Sequence, residues 1–263
     1  MTDQDNTPIT GQVPDAGDER EGASATHQPW GGADPAPTVA QALSLVFGFI
    51  GLQVLFGLTL GFFASHGGGG LDVGQLTLIG GGGTAVIILL YAWTAFNRGG
   101  PAFMRAVGWK PSHYSFWMTL YYAAGIYLGL RVVTALYAWA FLGEDLAGFA
   151  ERAAAETFGH GFNLQVLGLW LFIAGIGPMA EEIVFRGYLQ TALKARYGTW
   201  IAVTVASAVF ASVHFSLTLW PIYFLLGLSF GILYHLTGSL RASMALHIFN
   251  NALALSVQAM AAN

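Results

Sequence analysis

The chain is a succession of apolar blocks, each about as long as a helix that crosses a bilayer. The blocks occupy residues 39–64, 73–96, 114–142, 164–192, 199–216, 219–237 and 240–259. A helix needs roughly 20 apolar residues to cross the hydrocarbon core, and two of the blocks are clearly longer than that. The sequence therefore predicts an all-α fold, a polytopic transmembrane helix bundle with about seven spans, within a range of six to eight.

The composition agrees with a membrane protein and disagrees with a soluble one. Of the 263 residues, 55% are hydrophobic and only 9% are charged, whereas soluble domains carry roughly 25% charged residues. A soluble fold of this length could not cover so much apolar surface. The chain has no cysteine, which excludes disulfides, thiolate metal sites and a cysteine nucleophile.

The first 38 residues differ from the rest. They hold seven of the fourteen acidic residues and only one base, Arg20, among many proline, glycine and alanine residues. Such a segment cannot bury enough apolar surface to fold. We therefore predict a disordered cytoplasmic tail over residues 1–38 and a transmembrane helical domain over residues 39–263. The acidic and aromatic segment 144–158 is predicted to be a short helix on the membrane surface.

Lysine and arginine are concentrated in alternate loops, which sets the expected orientation. Three basic loops carry Arg98, Arg105 and Lys110, then Lys194 and Arg196, then Arg241. The opposite loops carry only Arg152. By the positive-inside rule, the N-terminus faces the cytoplasm in an integral, multi-pass protein of the cell membrane. No basic stripe typical of nucleic-acid binding is present, so we expect the lipid bilayer, and no nucleic acid, as a partner.

Three pairs of glycines are spaced four residues apart within apolar blocks. They are Gly57 and Gly61, Gly125 and Gly129, and Gly227 and Gly231. Small residues at this spacing let two membrane helices approach closely. We expect each pair to lie at a helix contact.

The segment from Pro178 to Gly187 places two adjacent glutamates in an apolar block, where charged groups are costly. Glu182 and Arg186 are four residues apart and can form an ion pair on one helix face. Glu181 lies about 100° around the helix from Glu182 and about 140° from Arg186. It is therefore left for another task, such as general-base catalysis on water. Pro178 should free the carbonyl of Ala174 and kink the helix beside Glu181.

Further polar residues lie in the following blocks at comparable depth. His214 ends the segment Phe210–His214, and His247 and Asn251 are four apart on one helix face. At about 1.5 Å per residue, Glu181, His214 and Asn251 lie roughly 18–22 Å from the cytoplasmic end of their block. His247 lies about 12 Å from that end, a depth that overlaps with the others when the helices are tilted. We expect these groups to meet in one polar pocket. Arg131, in the third block, is expected to reach an acid in the bundle or to extend to a membrane surface.

Taken together and in order, these motifs resemble those of the CPBP intramembrane proteases, the CAAX-processing and bacteriocin-processing proteins related to the Ras-converting prenyl protease. The shared pattern is Glu-Glu-x-x-x-Arg, Phe-x-x-x-His and His-x-x-x-Asn on successive helices. Here it is found at 181–186, 210–214 and 247–251. The Thr237–Leu240 turn is also similar. The resemblance covers about residues 164–255 and leaves the first three blocks without a counterpart.

The resemblance implies a peptidase mechanism and a role for each matched residue. Glu181 and His214 would position and deprotonate a water, while His247 and Asn251 would stabilise the oxyanion of the tetrahedral intermediate. Supporting roles fall to three residues, with Glu182 and Arg186 holding the site and Phe210 packing beside His214. The substrate would be a peptide or a membrane protein. No cofactor is expected.

Three other interpretations stay open at this point. A zinc-dependent membrane protease could use Glu181, His214 and His247 as ligands, with water in the fourth position, although the His-Glu-x-x-His motif is missing. A proton-coupled transporter also places Glu and His at mid-membrane, but the first three blocks hold no duplicate of the glutamate motif. A non-catalytic membrane partner is the third. The substrate, its prenylation and the oligomeric state are not determined by the sequence.

Overall fold

The computed structural model describes residues 36–66, 73–142 and 164–261. Within these ranges the regular structure is helical, with no β-strand, which confirms the predicted all-α fold. The tail predicted over residues 1–38 lies outside the described residues except for its last three positions. The surface helix predicted at 144–158 also lies outside them.

Each of the seven predicted blocks corresponds to a helical segment. We number them α1 (Val39–Ser65), α2 (Val73–Ala106), α3 (Phe116–Tyr137, extended by the π-helical turn Ala138–Leu142), α4 (Leu164–Tyr197), α5 (Thr199–Ser212), α6 (Trp220–Thr237) and α7 (Leu240–Ala261). Within the described ranges, five helices are long and apolar enough to cross a membrane, namely α1, α2, α3, α4 and α6. The polar residues of α7 lower its hydropathy, and α5 is too short.

Helix α5 ends earlier than predicted. The block was placed at 199–216, but the helix stops at Ser212 after 14 residues, or about 21 Å. The helix ends here because the His214 N–H donates to the Ala211 carbonyl, three residues earlier. In an α-helix it would donate to the Phe210 carbonyl, four residues earlier. The Phe210 carbonyl then accepts instead from Nδ1 of the His214 ring at 2.8 Å. His214 therefore lies in the turn after the helix and caps it.

Helix α2 also departs from its predicted boundary. We expected it to end near residue 96, followed by a turn, but it continues to Ala106 with a bend at Gly100. Gly100 has φ 63° and ψ −164°, a conformation that favours glycine. Pro101 follows directly and cannot donate a backbone hydrogen bond. The predicted turn is thus present as a break at Gly100 between two helical stretches, the second of which ends at Ala106.

Helix α4 alternates between α-helical and π-helical turns. Residues Phe172–Ile176 and Ile183–Gln190 are π-helical, and Gly177–Glu182 between them is α-helical. The Gly177 N–H donates to the carbonyl of Phe172, five residues earlier. By the same spacing, the partner of the Ile173 carbonyl would be Pro178, which has no N–H. At this spacing Pro178 lies opposite the Ile173 carbonyl, whereas at the regular α-helical spacing assumed from the sequence it lies opposite that of Ala174.

The glycine pairs divide into one that packs and two that do not. A Cβ on Gly227 would lie 2.9 Å from Cβ and 3.0 Å from Cα of Ser207, so α5 and α6 touch backbone to backbone. A Cβ on Gly231 would lie 2.8 Å from the side-chain Oε1 of Gln190 on α4. The prediction for this pair is confirmed. It is wrong for the other two pairs, since no described heavy atom lies within 4 Å of a Cβ built on Gly57, Gly61, Gly125 or Gly129.

The centre of the bundle is α4, because every residue of its segment Ile183–Gln190 is buried. It packs against α1 and α5, and α6 and α7 complete its enclosure. Among its buried side chains are two charged ones, Glu182 and Arg186, at 0% and 1% accessibility. A charged pair therefore lies at the core of an apolar helix bundle, and the site is built around it.

The contact between α5 and α6 predicts a difference between two glycine substitutions. Gly227→Ala should lower the free energy of unfolding in detergent by about 1–3 kcal/mol, because its methyl group overlaps the Ser207 backbone. Gly129→Ala is the matched control in open space, and should leave stability unchanged or raise it by up to about 1 kcal/mol. Thermal unfolding of the two purified variants measures the difference, and equal stability would contradict the close packing.

Candidate active site

The Glu182 carboxylate is the buried centre of a polar cluster. Its Oε1 lies 2.9 Å from Nη1 of Arg186 and 3.0 Å from Nδ1 of His247. Its Oε2 accepts a hydrogen bond from the hydroxyl of Ser243. Buried charges are tolerated when they are paired and hydrogen-bonded. A cation, an imidazole and a hydroxyl of the protein thus surround Glu182, which is fully buried.

Arg186 links this cluster to α6. Its Nη2 donates to the Gly227 carbonyl at 3.1 Å, at the point where α5 and α6 are in closest contact. The guanidinium carbon also lies over the rings of Phe210 and Phe230, at 4.6 Å and 5.3 Å from their centroids. Such cation–π contacts are strongest where water is excluded. The ion pair that the four-residue spacing predicts is present, and it joins three helices.

Glu181 is in a different environment from its neighbour. Its side chain is 22% accessible, and its Oε2 lies 3.8 Å from Nε2 of His247. That distance exceeds a hydrogen bond and leaves the carboxylate able to take another partner. The two consecutive glutamates thus differ in environment. Glu182 is buried and bonded to protein groups, whereas Glu181 is partly accessible and lies beside the His247 imidazole.

The ring of His247 is held in place by its contacts with neighbouring side chains. The ring stacks on Phe230 with centroids 4.2 Å apart, and its face meets the ring of Phe210 at 5.8 Å in an edge-on arrangement. Because the Glu182 carboxylate only accepts hydrogen bonds, Nδ1 of His247 carries a proton. Nε2 is consequently the nitrogen that faces Glu181 and the open side of the cluster.

His214 is held in a single orientation by the end of α5. A carbonyl accepts only, so the bond from Nδ1 to Phe210 places the proton on Nδ1 and leaves a lone pair on Nε2 of the neutral ring. The ring stacks on Tyr223 at 3.9 Å with 21° between the planes. It also meets the Phe210 ring at 4.8 Å. His214 thus has the tautomer that a general base on water requires.

Phe210 contacts both imidazoles and so connects the two halves of the site. The contact with His214 that the sequence predicts is present, and the contact with His247 brings both rings to one phenyl group. Among the described residues no hydrogen bond joins His214 to Glu181 directly. The structure therefore brings Glu181 close to His247 and places the rings of His214 and His247 both against Phe210.

Asn251 follows His247 by one helical turn on α7 and contacts the irregular part of α4. Its Nδ2 donates to the Ile173 carbonyl at 2.9 Å. This is the carbonyl that Pro178 leaves without a backbone donor. Because Pro178 has no N–H to donate, the Ile173 carbonyl can accept the hydrogen bond that holds the Asn251 amide.

Several residues of the site were not singled out from the sequence. Ser243 could have been recognised, because it precedes His247 by four residues and lies on the same helix face. Tyr223 and Phe230 are apolar-block aromatics with no distinguishing signal. Arg131 was expected to reach an acid or a membrane surface. It instead donates to the side-chain oxygen of Asn250.

No group of three His, Cys, Asp or Glu residues in the described part of the chain is arranged to hold a metal ion. The zinc interpretation needs Glu181, His214 and His247 as such a group. Nδ1 of each histidine donates to a protein acceptor, which metal-binding histidines also do, so zinc is disfavoured by the lack of a three-ligand group among the described residues. The geometry here does not match a three-ligand zinc site.

Comparison with known proteins identifies the region that carries the site. A family model, the Rce1-like type II CAAX prenyl endopeptidases, matches residues 163–253. This range contains α4 to α7 up to Asn251 and every residue of the cluster. No solved structure gives a significant match.

Two curated proteins match part of the chain. The membrane-embedded CAAX protease MroQ of Staphylococcus aureus (strain USA300) is 36% identical over 86 residues, which are 30% of this chain and 35% of that protein. YdiL of Bacillus subtilis (strain 168), described as a candidate membrane peptidase, is 27% identical over 135 residues, 46% of this chain and 55% of that protein. The chain thus spans about a third to about half of these relatives. Residues 163–253 are thus similar to the Rce1-like CAAX prenyl endopeptidases, the family that the ordered motifs resemble.

Proposed function

We propose that the chain is an intramembrane endopeptidase that hydrolyses peptide bonds with a water activated by Glu181 and His214. The observation that carries the proposal is the contrast between the two adjacent carboxylates. Glu182 is sealed by Arg186, His247 and Ser243, whereas Glu181 is partly open. The chemistry requires one free carboxylate beside an ordered imidazole, and this arrangement provides it.

The first step is the attack of water on the carbonyl carbon of the substrate. Glu181 accepts a proton from the water as the oxygen–carbon bond forms, and the Nε2 lone pair of His214 accepts a hydrogen bond that orients the same water. A positioned general base of this kind typically accelerates a reaction about 10²–10⁴-fold. The proton on Nδ1 of His214 stays with the Phe210 carbonyl, so the ring keeps its orientation.

The oxyanion that forms in this step needs donors on the opposite side. Asn251 supplies an N–H from the amide nitrogen that also binds Ile173, since that nitrogen has two hydrogens. His247 supplies Nε2–H when its ring is protonated on both nitrogens. Protonation suits the charge balance, because Glu181, Glu182, Arg186 and a protonated His247 together sum to zero. As Glu181 takes its proton, the negative charge moves to the oxyanion beside these donors.

Collapse of the tetrahedral intermediate completes the hydrolysis. The carbon–nitrogen bond breaks, and the proton held by Glu181 passes to the leaving nitrogen as it departs. The immediate products are a carboxylic acid and an amine, the proton of the acid passes to the amine to give a carboxylate and an ammonium group, and Glu181 returns to its charged form. No covalent intermediate with the protein is required, in agreement with the absence of cysteine in the chain.

The proposed setting is a multi-pass protein of the cell membrane with its N-terminus in the cytoplasm. The lysine and arginine residues concentrated in alternate loops support this orientation. A polar pocket that opens to the cytoplasmic side would admit the water that hydrolysis consumes. We propose peptides or membrane proteins as the substrates.

Isosteric substitution of the two glutamates should separate catalysis from folding. Glu181→Gln should reduce turnover by about 10²–10⁴-fold with little change in thermal unfolding, because it removes only the base. Glu182→Gln should instead lower the free energy of unfolding by about 3–5 kcal/mol, since Arg186 is then buried without its counter-charge. Arg186→Ala should reduce the yield of folded protein in the same way.

Two measurements decide this prediction. The membrane peptidome of cells that express the wild type or Glu181→Gln reveals which peptide bonds depend on Glu181, and thermal unfolding in detergent reports on folding. Normal cleavage by a folded Glu181→Gln variant would remove the proposed function. A Glu182→Gln variant as stable as the wild type would show that the buried pair does not hold the site.

Substitution of His214 should also impair cleavage without loss of folding. His214→Ala removes the acceptor for the water and should reduce turnover by at least about 10²-fold. His66→Ala is the control, because His66 is an exposed histidine after the end of α1 whose hydrogen bonds to described residues are with Phe62 and Ser65 of that helix. Cleavage of a quenched synthetic peptide measures both variants. Equal activity of the two would exclude His214 as a catalytic residue.

Treatment with a chelator tests the metal-free mechanism. The purified enzyme should keep its full turnover after prolonged incubation with a strong chelator followed by dialysis, because Glu181 and His214 act on water without a metal. A loss of turnover that added zinc restores would contradict the mechanism and favour the metalloprotease.

A further inference from the structure

Arg131 is a charged residue deep in a helix that crosses the membrane. It lies 15 residues after the first residue of α3, or about 22 Å along the helix, and no acidic residue in the described part of the chain is its partner. Its guanidinium lies over the Tyr127 ring at 4.7 Å and donates through Nη2 to the Asn250 side chain. Ionisable groups at such depth are costly and usually functional. None of the steps proposed above uses this residue.

The hydrogen bonds that begin at Arg131 form a chain with a fixed direction. Arg131 donates to Oδ1 of Asn250, Nδ2 of Asn250 donates to Oδ1 of Asn251 at 3.0 Å, and Nδ2 of Asn251 donates to Ile173 at 2.9 Å. An arginine can only donate and a carbonyl can only accept. The two ends therefore force both amides to point the same way.

The direction of this chain has a chemical consequence at Asn251. With its oxygen turned toward Asn250, Asn251 presents its nitrogen, and hence a hydrogen-bond donor, on the other side. A reversed amide would present its oxygen there and would repel a negatively charged oxygen atom. The Ile173 carbonyl can terminate the chain because Pro178 deprives it of a backbone donor.

We propose that Arg131 is a positioning residue that acts through Asn250 to hold the Asn251 amide with its donor toward the oxyanion. This inference rests on the proposed peptidase function and adds α3, which lies outside the matched region 163–253, to the catalytic machinery. Arg131 does not touch the reacting atoms. Its effect is expected on turnover and not on substrate binding, because the oxyanion exists only after the water has attacked.

A purely structural role for Arg131, as a link between α3 and α7, makes different predictions. Such a link would affect stability, and any loss of activity would be independent of Asn251. An orienting role depends on the direction of donation, so it distinguishes donors from groups of the same size that cannot donate. It also disappears when Asn251 is absent.

The test uses variants of the full-length chain and a quenched peptide that spans a bond cleaved in a Glu181-dependent manner. Arg131→Met keeps the length and removes the donor, and should lower kcat roughly 10- to 100-fold with KM unchanged. Arg131→Lys can still only donate, and should retain most of the turnover. Asn250→Asp keeps an acceptor for Arg131 but cannot donate to Asn251 as a carboxylate, and should resemble Arg131→Met.

A double-mutant cycle provides the decisive comparison. Asn251→Ala should lower kcat by about 10²–10³-fold through loss of an oxyanion donor. If Arg131 acts through this amide, Arg131→Met should have no further effect in the Asn251→Ala background. Thermal unfolding of each variant in detergent shows whether it is folded.

Each outcome either supports or overturns the inference. Equal kcat for Arg131→Met and the wild type overturns it, as does the same fold-loss in the presence and absence of Asn251. If Arg131→Met does not fold, Asn250→Asp decides, and normal turnover of that variant overturns the inference. The absence of any Glu181-dependent cleavage would remove the proposed function and this inference together, whereas cleavage indifferent to Arg131 and Asn250 would remove the inference alone.

Discussion

The ion pair between Glu182 and Arg186 is the constraint on which the rest of the site depends. Both side chains are buried completely, and in a low-dielectric core either charge without the other would be costly by several kcal/mol. The pair also bonds to neighbouring helices, since Arg186 donates to the Gly227 carbonyl and Glu182 accepts hydrogen bonds from Ser243 and His247. Through these contacts a single turn of α4 determines where α6 and α7 lie.

The division of labour between the two glutamates follows from this pair. Because Glu182 satisfies Arg186 and orients His247, Glu181 remains free beside Nε2 of His247. The Phe210 ring contacts the imidazoles of His214 and His247 and the guanidinium of Arg186. The π-helical turn before Pro178 adds an unpaired carbonyl that anchors the amide of Asn251. The same irregularity that disrupts α4 therefore fixes a donor where the proposed oxyanion forms.

Much of this arrangement could be predicted, because it depends on local spacing. The seven helical segments follow from apolar length, and the Glu182–Arg186 contact follows from a separation of one helical turn. The end of α5 at Ser212 could not be predicted from local spacing, because it depends on the His214 ring competing for the Phe210 carbonyl. Spacing also cannot tell Gly227, which touches α5, from Gly129, which touches no described atom. The link from Arg131 to Asn250 connects residues 119 positions apart, and no local pattern encodes it.

The central claim is that Glu181, His214, His247 and Asn251 act on one carbonyl group and one water. An experimental structure of the Glu181→Gln variant with an uncleaved peptide tests it most directly. The account predicts the carbonyl oxygen of the target bond about 3 Å from Nδ2 of Asn251 and Nε2 of His247, with a water between residue 181 and His214. A peptide bound elsewhere, or a carbonyl oxygen that faces neither donor, would contradict the account.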